Sequence, residues 1–229
     1  MRLKMIAALT GAAAALVAFS AQAATINWAT WGVPTSPGFN GSVAATIGTT
    51  SLVYTGEVQS INAQPSWTPV STFTGGPVSN APPSFQAVQL FGGPNSGVNT
   101  ITFTTPIVDP VLAIWSLGQP GMSTTFVFSD SFLLAGGGPN AEYGGQGLTS
   151  NLLTVSGTEG NGLVLFSGTF TTLSWTNPQF ENWYGFTVGY ASDAPSGTPI
   201  PGALPLFATG LGALGLIGWR RKRRPAAAA

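Results

Sequence analysis

The sequence predicts an all-β fold: one β-sandwich domain of the jelly-roll type. Residues 100–105 alternate polar and apolar side chains, which is the period of a half-buried strand. Turn residues separate such segments, as in Gly-Gly-Pro-Asn at 92–95 and Gly-Gly-Gly-Pro-Asn at 136–140. Between the two chain ends no stretch has helical periodicity. We therefore expect about eight to ten short strands in two packed sheets.

The local sequence pattern predicts the position of each strand. The run at 110–117 is almost continuously apolar, which indicates a strand buried on both faces. Residues 61–97 contain several prolines and little alternation, and predict a long irregular segment or a pair of edge strands. The remaining strands are predicted at 25–31, 51–58, 100–105, 124–129, 151–156, 162–168, 170–175 and 184–190.

Charge divides the chain into a body and two ends. The body, residues 24–191, has about 170 residues and suits one domain with a substantial core. It carries six of the seven acids, the seventh being Asp193 just beyond it, and cysteine and histidine are absent from the whole chain. The seven basic residues all lie at the ends: Arg2, Lys4, Arg220, Arg221, Lys222, Arg223 and Arg224.

The N-terminal end has the three parts of a secretory signal peptide. Arg2 and Lys4 precede an apolar run of 15 residues at 5–19, and small residues follow at Ala21 and Ala23. We expect cleavage after Ala23, which leaves Ala24 as the mature N-terminus. The alternatives are an N-terminal membrane anchor or a buried helix, but the run is short for a span of roughly 20 residues.

The C-terminal end predicts a membrane-spanning helix. Residues 203–219 are 17 uncharged, mostly apolar positions that end at Trp219, near the lower limit for crossing a bilayer. The basic cluster at 220–224 follows directly, and the positive-inside rule would keep it cytoplasmic. A Pro/Gly/Ser linker at 192–200 precedes the span, and 225–229 form a short tail.

These C-terminal features resemble the PEP-CTERM sorting signal. The likeness covers about 27 residues, 198–224: Ile-Pro-Gly-Ala-Leu-Pro-Leu, a Gly-rich apolar span, and the Arg/Lys cluster. The namesake Pro-Glu-Pro is replaced by a variant running from Pro201 to Pro205. The resemblance implies a sorting signal at 201–224 that an exosortase recognises and cleaves. The alternative is a plain anchor that is kept.

The same resemblance extends weakly into the body. The segments at 106–118 and 175–189 are similar to passages in other PEP-CTERM proteins of uncharacterised activity. The family implies export by signal peptidase, a transient stay in the inner membrane, and then the cell surface or the extracellular space of a bacterium with an outer membrane. It also implies a role in extracellular polysaccharide or biofilm matrix.

The missing residue types exclude many mechanisms. Without His or Cys, the chain cannot form a Ser-His-Asp or Cys-His site or a His/Cys zinc site. Without Lys or Arg in the body, we expect no phosphate-binding lysine, Schiff base or nucleic-acid surface. We therefore predict no catalytic, cofactor-binding or metal residues and no enzyme activity.

Two chemistries remain open to the carboxylates. A pair chosen from Glu142, Glu159 and Glu181 could run glycoside hydrolysis, although scattered acids are more often solvated or capping groups. A structural calcium ion is the only cofactor option, with oxygens from Glu159, Asn161 and Asp130 joined from separate loops.

The aromatic residues favour binding. Trp175, Trp183 and Tyr184 surround a loop rich in amides that includes Glu181, and these four are the candidate glycan contacts. The competing interpretation is that Trp175 and Tyr184 are core residues, because strands favour aromatics. The sequence thus predicts an exported, non-catalytic surface or matrix protein that binds polysaccharide. The rival is a cell-surface glycoside hydrolase using a carboxylate pair.

Overall fold

The computed structural model of the chain describes residues 23–62 and 66–191. The predicted signal peptide, except for Ala23, and the sorting signal at 201–224 lie outside the described residues. Within the described ranges the fold is all-β and sandwich-like, as predicted, with two largely antiparallel sheets and one 3-10 turn. None of its helical segments has the length and apolar character needed to cross a bilayer.

Sixteen strands occur in the described residues. Their bounds are β1 Asn27–Trp28, β2 Thr30–Trp31, β3 Gly38–Ile47, β4 Thr50–Val58, β5 Ser60–Asn62, β6 Ala87–Gly92, β7 Val98–Val108, β8 Val111–Leu117, β9 Thr124–Phe128, β10 Phe132–Ala135, β11 Gln146–Gly147, β12 Thr149–Asn151, β13 Thr154–Gly157, β14 Gly160–Phe166, β15 Thr169–Thr176 and β16 Phe180–Tyr190. The 3-10 turn is Val70–Phe73.

The strands are divided between two sheets. Sheet one has the order β10-β14-β8-β16-β6-β5, with β1 added to β16 and β11 pairing parallel to β14. Sheet two has the order β12-β13-β9-β15-β7-β4-β3-β2. From β6 to β10 and from β13 to β16, successive strands lie in opposite sheets, so these connections cross from one layer to the other.

The main core lies between the sheets and is rich in aromatic rings. Trp175 of β15 stacks on Tyr54 of β4 and on Phe126 of β9, with ring centroids 5.8 and 5.6 Å apart. Phe186 of β16, from the facing sheet, meets the Trp175 ring edge-on at 4.9 Å. Such packing supplies the burial that holds an all-β domain together without disulfides.

Strand β8 is buried on both faces, as its continuous apolar run predicts. Leu112 and Ile114 pack into the main core, whereas Trp115 packs on the outer face of sheet one. Trp67 and Phe73 cover that outer face, with their rings 5.0 Å apart. Part of the predicted irregular region at 61–97 therefore forms a second apolar layer.

In the part of the chain that it describes, the structure has sixteen strands rather than the predicted eight to ten, and β10 is among those not predicted. Strand β3 was not predicted, because Gly and Ala residues hide its alternation, yet it pairs with β4 along most of its length. The predicted strand at 151–156 is split by a turn at Leu152, which is 91% exposed. Strand β6 is not an edge strand, since it lies between β16 and β5.

Candidate functional site

An open cleft lies at the end of sheet one where β8 ends and where β14 and β16 begin. Its volume is about 260 Å³. The antiparallel register brings these three strand ends together, because Leu117 pairs with Gly160 and Trp115 pairs with Gly185. We call it the two-glutamate cleft, defined by its lining residues Ser116, Gln119, Pro120, Tyr143, Glu159, Glu181, Asn182 and Trp183.

Glu181 is the more buried of the two carboxylates, with 2% of its surface exposed. Its Oε2 accepts a hydrogen bond from the Gly118 amide at 2.8 Å. Gly118 has φ of +81°, and a Cβ there would overlap the Gly157 carbonyl, so only glycine brings this amide to the carboxylate. Burial raises the pKa of Glu181 to about 8, against the lowering effect of that amide, and the charge of Glu159 adds to the rise.

Glu159 faces the cleft from the turn before β14. The Ser116 hydroxyl donates a short hydrogen bond to its Oε2. Burial raises the pKa of Glu159, and the Ser116 hydroxyl acts in the opposite direction. Ser116 and Glu159 have φ of +58° and +55°, a region that costs most side chains free energy. Because two such residues are in contact here, the surrounding structure must hold the backbone in this conformation.

Asn161 imposes much of that geometry. This side chain is fully buried, and its Oδ1 accepts from the Ser116 amide at 2.8 Å and from the Asn140 amide group at 2.9 Å. Its Nδ2 donates to the Glu159 carbonyl at 2.8 Å. One side chain thus joins β8, β14 and the loop that carries Tyr143.

Two aromatic rings form a wall of the cleft. Tyr143 is 59% exposed and Trp183 is half-buried. Their ring centroids lie 6.1 Å apart, and the buried Trp115 ring supports both, at 5.4 Å from Tyr143 and 4.3 Å from Trp183. The contacts are edge-to-face, which is a favoured arrangement for aromatic pairs.

A buried polar network holds the chain that leads into β16. The carboxylate of Glu57 accepts from the amides of Phe91 and Gly92, both at 2.8 Å. Asn177 donates to that carboxylate at 3.2 Å and to the Tyr184 hydroxyl at 2.6 Å. The network positions the loop just before Glu181.

The structure brings together only part of the predicted glycan site. Trp183 and Glu181 line the cleft, but Trp175 and Tyr184 are 1% and 0% exposed. The prediction that these two contact a glycan is wrong, because their side chains point into the core between the sheets. Tyr184 follows Trp183 directly, and successive strand residues face opposite sides.

Only two of the three candidate glutamates lie in the cleft. Glu159 and Glu181 share the cleft, whereas Glu142 is exposed and does not line it. Of the predicted calcium donors, Glu159 and Asn161 are near neighbours. Asp130 lies two residues beyond the C-terminal end of β9, whereas Glu159 lies two residues after Gly157, which pairs with Thr124 at the other end of β9. The strand separates Asp130 from the other two.

The residues proposed from the sequence lack five that line the cleft, namely Ser116, Gln119, Pro120, Tyr143 and Asn182. Ser116 is a polar position within an apolar strand, and that interruption was a usable signal. Tyr143, Gln119 and Asn182 lie in loops or at a strand start. Nothing in their local sequence shows which distant segment they meet.

Known proteins add no further constraint. Comparison of the chain with protein families, with curated proteins and with solved structures finds no match.

Proposed function

We propose that this chain is an exported, non-catalytic surface or matrix protein that binds polysaccharide in the two-glutamate cleft. One observation carries the binding proposal: partly exposed aromatic rings and carboxylates line the same open cleft. The apolar C–H face of a sugar ring packs on flat aromatic surfaces such as Tyr143 and Trp183. The carboxylates and the amides of Gln119 and Asn182 offer partners to the sugar hydroxyls.

The strand order supports a jelly-roll topology for the body. Four strands of sheet one run β6-β16-β8-β14, and four of sheet two run β7-β15-β9-β13. With β6 as the first of eight, this is the order of two interleaved Greek keys. Jelly rolls include lectin domains, so the topology is compatible with glycan binding without requiring it.

Export is supported by the pattern of both chain ends and by the start of the fold. The Ala24 amide donates to the Pro77 carbonyl at 2.7 Å, and the Ala24 carbonyl accepts from the Ser79 amide at 3.0 Å. The proposed mature N-terminus is therefore hydrogen-bonded to the segment at 77–79. Signal peptidase and an exosortase are the proposed processing partners. The precursor is proposed to reside transiently in the inner membrane before the protein reaches the cell surface.

The binding proposal is tested by co-sedimentation and affinity electrophoresis of the full chain with matrix polysaccharides. Trp183→Ala and Tyr143→Ala should each weaken binding by about tenfold, which corresponds to 1.4 kcal/mol. The matched control is Phe85→Ala, because Phe85 is 58% exposed and precedes β6 at the opposite end of sheet one. Unchanged binding in both cleft variants would exclude the cleft as the glycan site.

The export proposal has a separate test. Mass spectrometry of the surface fraction should find Ala24 at the N-terminus and no peptide beyond about Pro205. Recovery of intact peptides from residues 207–219 would rule out removal of the sorting signal and favour a retained anchor.

A second function, glycoside hydrolysis, is favoured by the pair of carboxylates with raised pKa values. In that case Glu181 would be protonated near neutral pH and act as the acid, and Glu159 would be the nucleophile or base. Release of reducing sugar that Glu181→Gln abolishes would establish the hydrolase. If the protein binds polysaccharide without hydrolysing it, and Glu181→Gln keeps that binding, the non-catalytic proposal is favoured.

A further inference from the structure

We propose that the two-glutamate cleft selects polysaccharides that carry free amino groups over acetylated, neutral or anionic ones. This inference rests on the proposed function, since it requires that the cleft binds a glycan. It concerns the chemical class of the sugar that the cleft accepts.

The first argument is the charge around the cleft. No Lys, Arg or His occurs between Lys4 and Arg220, while seven acids lie in that stretch. The donors that meet the two carboxylates are neutral, among them the Gly118 and Trp183 amides and the Ser116 hydroxyl. A cationic ligand would supply the positive charge that the protein itself does not place there.

The second argument is that the two carboxylates disfavour each other's charge. Burial is the main cause that raises the pKa of Glu181, and the charge of Glu159 adds to the rise. An ammonium group in the cleft would offset this penalty, whereas a uronate or sulfate would increase it. Anionic sugars are usually held by Arg or Lys, which the body lacks.

The third argument comes from the aromatic wall. Ammonium groups are attracted to the faces of Trp and Tyr rings, and Trp183 and Tyr143 stand beside the carboxylates. An amino sugar presents an apolar ring face and an ammonium group on one small unit. It can therefore use the aromatic rings and the carboxylates at the same time.

The size of the cleft fits a short part of a chain. Its volume of about 260 Å³ lies just below the usual range for pockets that enclose a small molecule. The cleft is open, so a polysaccharide can enter and leave it along its length. Selectivity then depends on the few groups that face each sugar unit.

The test compares oligosaccharides of equal length that differ only in the substituent. Calorimetric titration of the full chain would use a β-1,4-glucosamine oligomer, its N-acetylated form, the corresponding glucose oligomer and a uronate oligomer. We expect the free-amine oligomer to bind at least about tenfold more tightly than the acetylated one. Added salt should weaken the amine binding and leave the glucose oligomer unaffected.

Variants assign the preference to the carboxylates. Glu159→Gln and Glu181→Gln should each reduce the preference for the amine by about tenfold while keeping the affinity for the acetylated oligomer. Glu142→Gln is the matched control, since Glu142 lies outside the cleft lining. Thermal unfolding midpoints confirm folding, and Glu159→Gln serves as the test if the buried Glu181 variant is destabilised.

Every other outcome contradicts either the amine selectivity or the polysaccharide binding. Equal or tighter binding of the acetylated, glucose or uronate oligomer refutes amine selectivity and leaves polysaccharide binding intact. A simple diamine that binds as tightly as the glucosamine oligomer shows a small-cation site and also refutes the inference. If no oligosaccharide and no polysaccharide binds, the proposed function itself fails.

Discussion

At the scale of single residues, the buried side-chain amide of Asn161 holds the backbone that forms the cleft. Asn161 satisfies the Ser116 amide and binds the Glu159 carbonyl, so it controls two residues with positive φ. A backbone held in this region is kept there by neighbouring contacts. Asn161 is therefore a positioning residue for both Ser116 and Glu159.

Replacing Asn161 by Ala should destabilise the fold by about 2–4 kcal/mol. The change would leave the Ser116 amide and the Asn140 side-chain amide without the acceptor that they share. Urea unfolding of the full chain measures the difference. Asn182→Ala is the control and should cost less than about 0.5 kcal/mol, because its bond to Gln119 is exposed. A loss below 1 kcal/mol for Asn161→Ala would contradict the assigned role.

At the scale of elements, turns decide where strands end. The β12–β13 hairpin closes with Leu152 and Leu153 between the paired residues Asn151 and Thr154. Leu152 has φ of +52° and is 91% exposed. Two-residue hairpin turns favour Gly, Asn or Asp at such a position. Leucine is thus a locally unfavourable choice that the hairpin tolerates.

Leu152→Gly should stabilise the protein by about 0.5–1 kcal/mol, because it relieves the left-handed strain and removes almost no buried surface. The matched control is Leu153→Gly. Leu153 is 39% exposed and its φ is not positive, so that change should destabilise. The thermal unfolding midpoint reports both. A lower midpoint for Leu152→Gly would show that the Leu152 side chain makes a contact worth more than the strain.

At the scale of the whole molecule, the body is a domain of acids without nearby bases. The pKa of Glu181 is raised from an ordinary value of 4.5 to about 8 in the folded state. Between these two values the folded protein binds more protons than the unfolded chain does. Stability therefore falls as pH rises from about 4.5 to about 8, and the raised pKa of Glu159 acts in the same direction.

We expect the free energy of unfolding to be lower at pH 8.5 than at pH 5 by about 2–5 kcal/mol. Glu181→Gln should remove most of this dependence, because glutamine keeps the shape and does not titrate. Glu142→Gln, an exposed control, should keep it. Denaturant unfolding at a series of pH values supplies the measurement. A stability that rises with pH in the unchanged protein would contradict the burial of Glu181.

The sequence predicted the fold class because strand period and turn residues are local signals. The strands at 110–117 and 170–175 agree closely with β8 and β15. Strand β3 escaped prediction because small residues weaken the alternation that marks a half-buried strand. The prediction failed at 151–156 because two leucines form a turn, where apolar residues are not expected.

By itself the sequence determined the all-β body, the segregation of the basic residues to the ends, and the absence of His and Cys. These properties depend on composition and short-range pattern. Only the tertiary structure decided that Glu159 and Glu181 share a cleft with Tyr143, and that Trp175 and Tyr184 belong to the core. Strand register brings residues that lie tens of positions apart in the sequence into contact. A register shift of one residue would exchange the buried and exposed faces of a strand.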